Sequence, residues 1–576
     1  MKIKYSHLVI ILLAAFFVGT YSFCLAGSSH KRIEDSLKKH MSRVTLKKNI
    51  EDGVNTLTQE MLDKHGPYTK FIIKHDYYLS GYITIPPNCE LKFKGGSLRN
   101  GKVDFNGCKV VSKRKALYNI RFVHLANIDV DLFYIPNDAT FFLQDIVNSC
   151  SSIDLKNRAF GVNRVISINA NKGEYKISNG TIYALPDFEI YEGEGLTPTG
   201  TLIYISGLYS GYVYNLTLDG KGIAQKGLYI TQSNDVVIDK CIISNCDGAD
   251  KTMSWGLRCN NCSNIRLTNS CINNIIALPV GKNGGSVGSA AGVVFEHTVN
   301  SLITNNTIEN IQSTRDGDAI HIISIPAENN KPAPTREDLY ETVNVEVSHN
   351  IIKANSNSKR CIKVQAFGVK IMDNLMQKLY TNKTNVVSVY GSNVVLENNH
   401  IESNEYYTIV IGTSYLATLN DVIIRNNVIK HRIATDWCSC IYVVGSSLRN
   451  CSVENNTVDI ENKHNSFCDV RGGLHSVIVS NNKVTGGSHF FRIRNEINKA
   501  EIDNLQIKGN EFEGNYDLLT IEKDKNVNTT YEEISVFDNT FTGGSESKKM
   551  IEVLGDPALK RSVRIGANRS NKSMEL

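Results

Sequence analysis

The sequence predicts an all-β chain folded as a right-handed parallel β-helix with an N-terminal capping region, and three observations carry this. A short alternating aliphatic strand ending in Asn recurs at Asn350, Asn374, Asn399, Asn427, Asn456, Asn482, Asn510 and Asn539, at intervals of 24 to 29 residues. Within each copy (VVLENNHI, VIIRNNVI, VIVSNNKV) apolar and polar residues alternate with period two, the mark of a half-buried strand. Proline is scarce, at 11 residues, which suits long ladders because each proline would delete a donor. A strand-turn-strand unit repeated at this period is a solenoid built of strands. The Asn closing each copy is expected to take the left-handed backbone that a sharp corner needs.

Residues 1–26 read as a secretory signal: Lys2 and Lys4 precede the apolar run Leu8 to Val18, and Ala26 offers a small residue at the cut. The run is short for a membrane span, and no later segment is apolar enough to cross a bilayer. The expected location is therefore exported: periplasm, cell surface or medium. Lipidation at Cys24 is the alternative reading of the same segment. Residues 27–67 are charged and weakly helical, and read as a linker. Residues 68–127 give short strands punctuated by Pro-Pro, Gly-Gly and Asn-Gly, a β-rich cap or first set of coils. In 128–206, Asn137-Asp138 before the apolar-periodic FFLQDIV predicts a capped helix opening the β-helix. Regular coils follow over 207–570. The formal charge of +5, or +3 without Lys2 and Lys4, is too mild to imply nucleic acid.

Thirteen cysteines follow the signal, an odd number spread over a long chain, which is no disulfide framework. Cys241 and Cys271 are expected to stack one coil apart. Cys259 with Cys262 and Cys438 with Cys440 lack histidine pairs at ligand spacing, so buried thiols are the reading rather than zinc.

Spacing stretches to 36 and 44 residues between Ser270, Asn306 and Asn350, through insertions at 278–290 and 325–342. Long loops in a solenoid usually build its binding face. The strand that follows each Asn unit aligns as KGLYI, WGLRC, AGVVF, DAIHI, RCIKV, VVSVY, YTIVI, CIYVV, CDVRG, FRIRN, LTIEK and MIEVL. Its outward column is Tyr229, Arg258, Val294, His321, Lys363, Ser388, Val410, Tyr442, Arg471, Arg494, Glu522 and Glu552. Column neighbours lie one strand apart, about 4.8 Å, so His321 and Lys363 should be adjacent.

The helix, then GEYKI and LPDFEIYEGEG before an aliphatic strand, resembles the opening of the pectate-lyase-like superfamily of right-handed β-helices, over roughly 128–570. There the helix plugs the solenoid end and the GEG turn leads into regular coils. The acidic box that usually precedes the helix is reduced here to Pro136-Asn137-Asp138. DGDAIHI is similar to the GDDxIxI motif of the polygalacturonase-type glycoside hydrolases, and RCIK to their RIK. By that resemblance Asp318 matches the second Asp, with Gly317 in place of the first, and Lys363 matches the motif Lys. Arg360 is one place off, with Cys361 at the motif Arg position, and the NTD and GHG motifs have no counterpart.

Two chemistries fit such a face. Inverting hydrolysis needs two carboxyls across a water-sized gap, for which Asp318 with Asp316 or Glu296 are the candidates. β-Elimination on a uronic-acid polysaccharide needs a cation to neutralise the carboxylate and a base for the C5 proton. Lys363 or Arg360 would neutralise, and His321 or a neutral lysine would abstract. Arg258, Glu296, Arg315, Tyr442, Arg471 and Arg494 are the expected substrate-binding residues, and the basic column suits an acidic glycan. No cofactor is required; the resemblance would allow calcium at Asp316, Asp318 and Glu296. The alternative is a glycan-binding or adhesive envelope protein that binds through the same face without turnover.

Overall fold

The computed structural model describes residues 41–573 apart from 126–127, 170–172, 192–195, 249–252, 279–287, 314, 325–340, 356, 413–417, 496–499, 524–528, 545–548 and 555–556. The signal segment, the GEG turn and most of both insertions lie outside these residues. Among the described residues no helix is long and apolar enough to cross a membrane.

Contacts divide the chain into two compact units. The first runs to Asn137 and includes the helical stretch 141–150. It holds a parallel four-stranded sheet in the order Ser42–Thr45, Thr69–Ile73, Glu90–Phe93, Lys109–Val111, beside a seven-stranded one. Strand pairing thus begins at Ser42, inside the stretch read as a linker, because alternating residues there pair with Thr69–Ile73. The expected helix is present at Thr140–Ser149, and Asp138 accepts from the Thr140 N–H at 3.0 Å. Within the first unit the Phe142 ring meets Phe122 and Phe133 at 6.2 and 5.1 Å.

The second unit is a parallel β-helix, a continuous 40-stranded array. A regular coil contributes three strands, exemplified by Asn385–Val389, Val394–Glu397 and His400–Ser403, which pair with Tyr407–Ile411, Val422–Arg425 and Val428–His431 of the next coil. We call these the first, second and third faces. Inward Val, Ile and Leu stack into one continuous apolar core, as at Val387, Ile409 and Ile441.

The corner between second and third faces departs from the sequence expectation in an instructive way. The left-handed residue is the one before the motif Asn: His349, Asp373, Asn398, Asn426, Asn455, Asn481, Gly509 and Asp538 all have φ between 54° and 65°. The motif Asn itself turns inward and is buried. Asn427 Oδ1 accepts from the Asn399 N–H and Nδ2 at 2.9 and 3.0 Å, while Asn427 Nδ2 donates to the Leu396 carbonyl and to Asn456 Oδ1 at 3.0 Å each. The same pattern links Asn306, Asn350, Asn374, Asn399, Asn427, Asn456, Asn482, Asn510, Asn539 and Asn568. Buried amides are retained here because the ladder satisfies each one.

The ladder also corrects the cysteine register. The Cys241 N–H donates to Ser270 Oγ, and Cys271 aligns with Ile242, so the two cysteines are offset by one residue rather than stacked. All described cysteines are free thiols.

Beneath the first face, His431 is fully buried; its Nδ1 lies 3.0 Å from Thr408 Oγ1, and its Nε2 has no partner among the described residues. Burial pushes its pKa from 6.5 down to about 3. In the unfolded chain the imidazole takes a proton below 6.5; in the folded chain it resists, so stability present above that pH is lost as pH falls toward 3. The urea midpoint should therefore drop across this window, and His431→Gln should flatten the drop; an unchanged pH slope would show that His431 does not contribute.

Candidate functional site

The first face carries the predicted site, and its register confirms the predicted column across eight strands. Tyr229, Arg258, Val294, His321, Lys363, Ser388, Val410 and Tyr442 pair in succession. Beyond Tyr442 the column passes through Asp469, Arg492 and Thr520 to Glu552. Arg471, Arg494 and Glu522 are thus displaced from it by two residues. The column is also drier than an outward row suggests, with Arg258 and Lys363 only 8% and 9% exposed.

Small residues allow this face to pack closely. A Cβ on Gly256 would lie 2.8 Å from the Gly292 carbonyl oxygen, and one on Gly292 2.5 Å from that of Ala319. Neighbouring backbones touch at this inward corner, which is why WGLRC, AGVVF and DAIHI share a small second residue.

The turn before Gly317–Ile323 is pinned on both sides. Ser313 Oγ accepts from the Arg315 N–H at 3.1 Å, and the Asp316 carbonyl accepts from the Ala290 N–H at 2.8 Å. Asp318 pairs in register with Arg360. Arg360 Nη1 donates to Asp318 Oδ1 and Asp316 Oδ1 at 2.9 Å each, and Lys363 Nζ donates to Asp316 Oδ2 at 3.1 Å. Asp316, Asp318, Arg360 and Lys363 thereby form one chain of ion pairs. His321 closes it: Nε2 lies 2.8 Å from Gln365 Oε1, and Nδ1 3.8 Å from Asp318 Oδ2. Arg315 is exposed at the rim.

The cluster's electrostatics separate the roles. Burial acts to raise the Asp316 carboxyl, but the Lys363 and Arg360 charges override it and hold it well below the ordinary carboxylate range. Burial and the Lys363 charge push His321 down to about 4, so the imidazole is neutral at pH 7. Gln365 Oε1 opposite Nε2 selects the neutral tautomer with its proton on Nε2, which leaves a lone pair on Nδ1.

Next to this cluster lies a second pair. Arg258 contacts Glu296 through Nη2, and Asn260 Nδ2 donates to Glu296 Oε2 at 3.0 Å. Arg258 and Lys226 both lie over the Trp255 ring, at 5.1 and 4.7 Å. Burial and Arg258 lower the Lys226 ammonium to about 8. Around these two clusters the buried polar atoms Trp255 Nε1, Arg258 Nε, Asn260 Oδ1 and Arg360 Nε have no partner among the described residues. Unmatched buried polar atoms are rare in native interiors, and their concentration here marks where a ligand or ordered water would bind.

Of the predicted residues, the structure brings together Asp316, Asp318, His321, Arg360 and Lys363, with Arg258 and Glu296 close by. Val294 alone separates Arg258 from His321 in the column. Tyr442 lies three strands beyond Lys363, about 14 Å away. It stacks on Tyr407 at 4.2 Å, with Arg471 over its ring. Arg494 is paired with Asp469 in the same region. Asp316, Asp318 and Glu296, the candidate calcium ligands, direct their oxygens at Arg360, Lys363 and Arg258, and among the described residues no three acidic, His or Cys side chains converge as metal ligands.

No protein-family model matches the chain, and the search of curated proteins found no match. Solved structures similar in fold include tailspike protein 2 of the Escherichia coli O157:H7 bacteriophage CAB120, at 12% identity and TM-score 0.38 over 62% of this chain and 43% of that one. The tailspike of E. coli bacteriophage HK620, solved with a pentasaccharide, matches 77% of this chain and 76% of its own at 13% identity and TM-score 0.37. PfbA, a surface adhesin of Streptococcus pneumoniae, covers 86% of this chain and 87% of its own at 11% identity and TM-score 0.31. The chain spans less than half the length of the first of these. The parallel β-helix itself is read from the strand registers given above.

Sequence reasoning missed Trp255, Asn260 and Gln365. Asn260 and Gln365 lie two residues beyond Arg258 and Lys363 on the same strands, so the outward parity already used for the column would have found them. Trp255 sits beyond the small corner residue Gly256, where simple alternation breaks.

Proposed function

We propose that the chain is an exported carbohydrate-active protein whose first-face site cleaves an acidic polysaccharide by β-elimination. The observation that carries this is the pairing of a neutral imidazole, His321, with the Lys363 ammonium on adjacent strands. A uronate carboxylate placed against Lys363 and Arg360, in exchange for Asp316, loses its charge and acidifies the C5 hydrogen. His321 Nδ1 takes that proton as the C5–H electrons become the C4–C5 double bond; the C4–O bond breaks, and the leaving oxygen takes a proton from Lys363 or water. Hydrolysis is less well served, because Asp316 is held ionised and cannot act as the proton donor.

A second reading, glycan binding without turnover, is favoured by charge balance: Arg258, Arg360 and Lys363 each already meet a carboxylate.

Incubation of the full chain with polygalacturonate, alginate and chondroitin should produce the ultraviolet absorbance of an unsaturated uronate. Reducing ends without that absorbance would point to hydrolysis, and retention without products to binding alone. The base must be unprotonated to act, so kcat/KM should fall only as pH drops through about 4. An acid limb centred near 6.5 would assign the base elsewhere.

A further inference from the structure

The first unit carries a surface that the Asp318 site does not use. Between Glu90 and Arg121 the sequence holds nine Lys and Arg residues against two acids, Glu90 and Asp104, a local excess hidden by the near-neutral whole. The seven-stranded sheet gathers part of it into rows. Tyr78 pairs with Arg99, Arg99 with Tyr118, and Tyr118 with Tyr134. Across the left-handed corners at Asn100 and Asn119, a second row joins Tyr82, Lys102 and Arg121. Tyr78, Tyr82 and Tyr134 are 41%, 53% and 55% exposed.

The side chains interleave. The Arg99 guanidinium lies 4.5 Å over the Tyr118 ring, which stacks on Tyr134 at 5.7 Å and 17°. Lys115 lies 5.7 Å over Tyr134, and Lys102 5.1 Å over Tyr82. Arg99 and Arg121 have carboxylate partners in Asp76 and Asp145. Lys102 and Lys115 are exposed, and among the described residues neither meets a carboxylate.

We propose that this face binds an anionic polysaccharide, with the polymer running across the strands along the tyrosine rows. Charge selects a polyanion, and the interleaving selects its kind. Single-stranded nucleic acid is held by bases stacking on free aromatic faces. Here the faces of Tyr118 are taken by Arg99 and Tyr134, and one face of Tyr134 and of Tyr82 by a lysine. What remains for a ligand is phenol hydroxyls, ring edges, ammonium groups and a ring face at Tyr82 and Tyr78, on which a pyranose can lie, and these together complement the hydroxyls and carboxylates of a uronate chain. A repeated row suits a repeating polymer, because each further residue adds a weak contact at high effective concentration. The inference does not rest on the reading of the Asp318 site; it would hold for a protein that only binds.

The test is affinity electrophoresis of the full chain in gels containing polygalacturonate, alginate, dextran or no polymer, with competition by a single-stranded oligothymidylate. Retardation is expected by at least one polyuronate and not by dextran. The double variant Lys102→Glu/Lys115→Glu should weaken it about tenfold, and Tyr134→Ala should weaken it without any change of charge. All three positions are exposed, so the fold is expected to survive, and an unchanged urea midpoint would verify this. Parent-like retardation of both variants, no retardation by either polyuronate, equal retardation by dextran, or displacement by the oligothymidylate at matched charge would each overturn the proposal.

Discussion

Lys363→Ala is expected to lower the rate of uronate unsaturation by about 100- to 1000-fold, the loss typical of removing one preorganised charge from a reacting centre. Lys363 is buried beside His321 and reaches Asp316 at 3.1 Å. Without it the substrate carboxylate is left with Arg360 alone, for which Asp316 and Asp318 compete. Asp318→Asn should produce a comparable loss by another route. It preserves shape but removes the carboxylate that holds Arg360, whose remaining carboxylate partner is Asp316. Initial rates on the preferred polymer, with circular dichroism to check the fold, decide the matter. Parent-like rates in both variants would remove this cluster from the chemistry.

The second large effect concerns stability. Asn427→Ala should cost about 3–5 kcal/mol, because it strands several buried partners, each worth about 1–3 kcal/mol when unsatisfied. The Asn399 N–H and Nδ2 lose their shared acceptor, and the Leu396 carbonyl loses its donor. At the adjacent Asn426, which has φ 58°, substitution by Ala should cost only about 1 kcal/mol of left-handed strain, and Gly should relieve it. Urea midpoints for the three variants measure the contrast. Equal losses at Asn426 and Asn427 would mean that the corner's backbone strain, rather than the amide ladder, determines its stability.

That contrast shows how far a repeat can be read. The recurring Asn announced a corner correctly, yet the left-handed backbone belongs to the preceding residue, and the Asn is a buried hydrogen-bonding rung. Period alone could not distinguish these, since both residues recur together. The offset of Cys241 and Cys271 has the same origin: DKCI and NSCI look alike, but the ladder sets Cys241 opposite Ser270. The displacement of Arg471, Arg494 and Glu522 follows from strand geometry. In CDVRG, FRIRN and LTIEK two polar residues stand on either side of one aliphatic residue, and alternation of period two is unchanged by a shift of two. Where one outward position is unambiguous, as in DAIHI and RCIK, the expected pairing of His321 with Lys363 is the one found.

The sequence by itself determined the architecture: a fixed spacing of half-buried strands admits little besides a stacked parallel coil, because only stacking buries every apolar side and pairs every backbone group. It also determined which side chains share the column from Tyr229 to Tyr442. Only the tertiary structure decided how those side chains are spent. Arg360 bridges Asp316 and Asp318, His321 is neutral beside Lys363, and Trp255 faces Arg258 across a corner where alternation breaks. The same holds for the interleaved tyrosines and cations of the first unit. Charge pairing, burial and ring stacking act through space between residues tens of positions apart, and no local pattern in the chain records them.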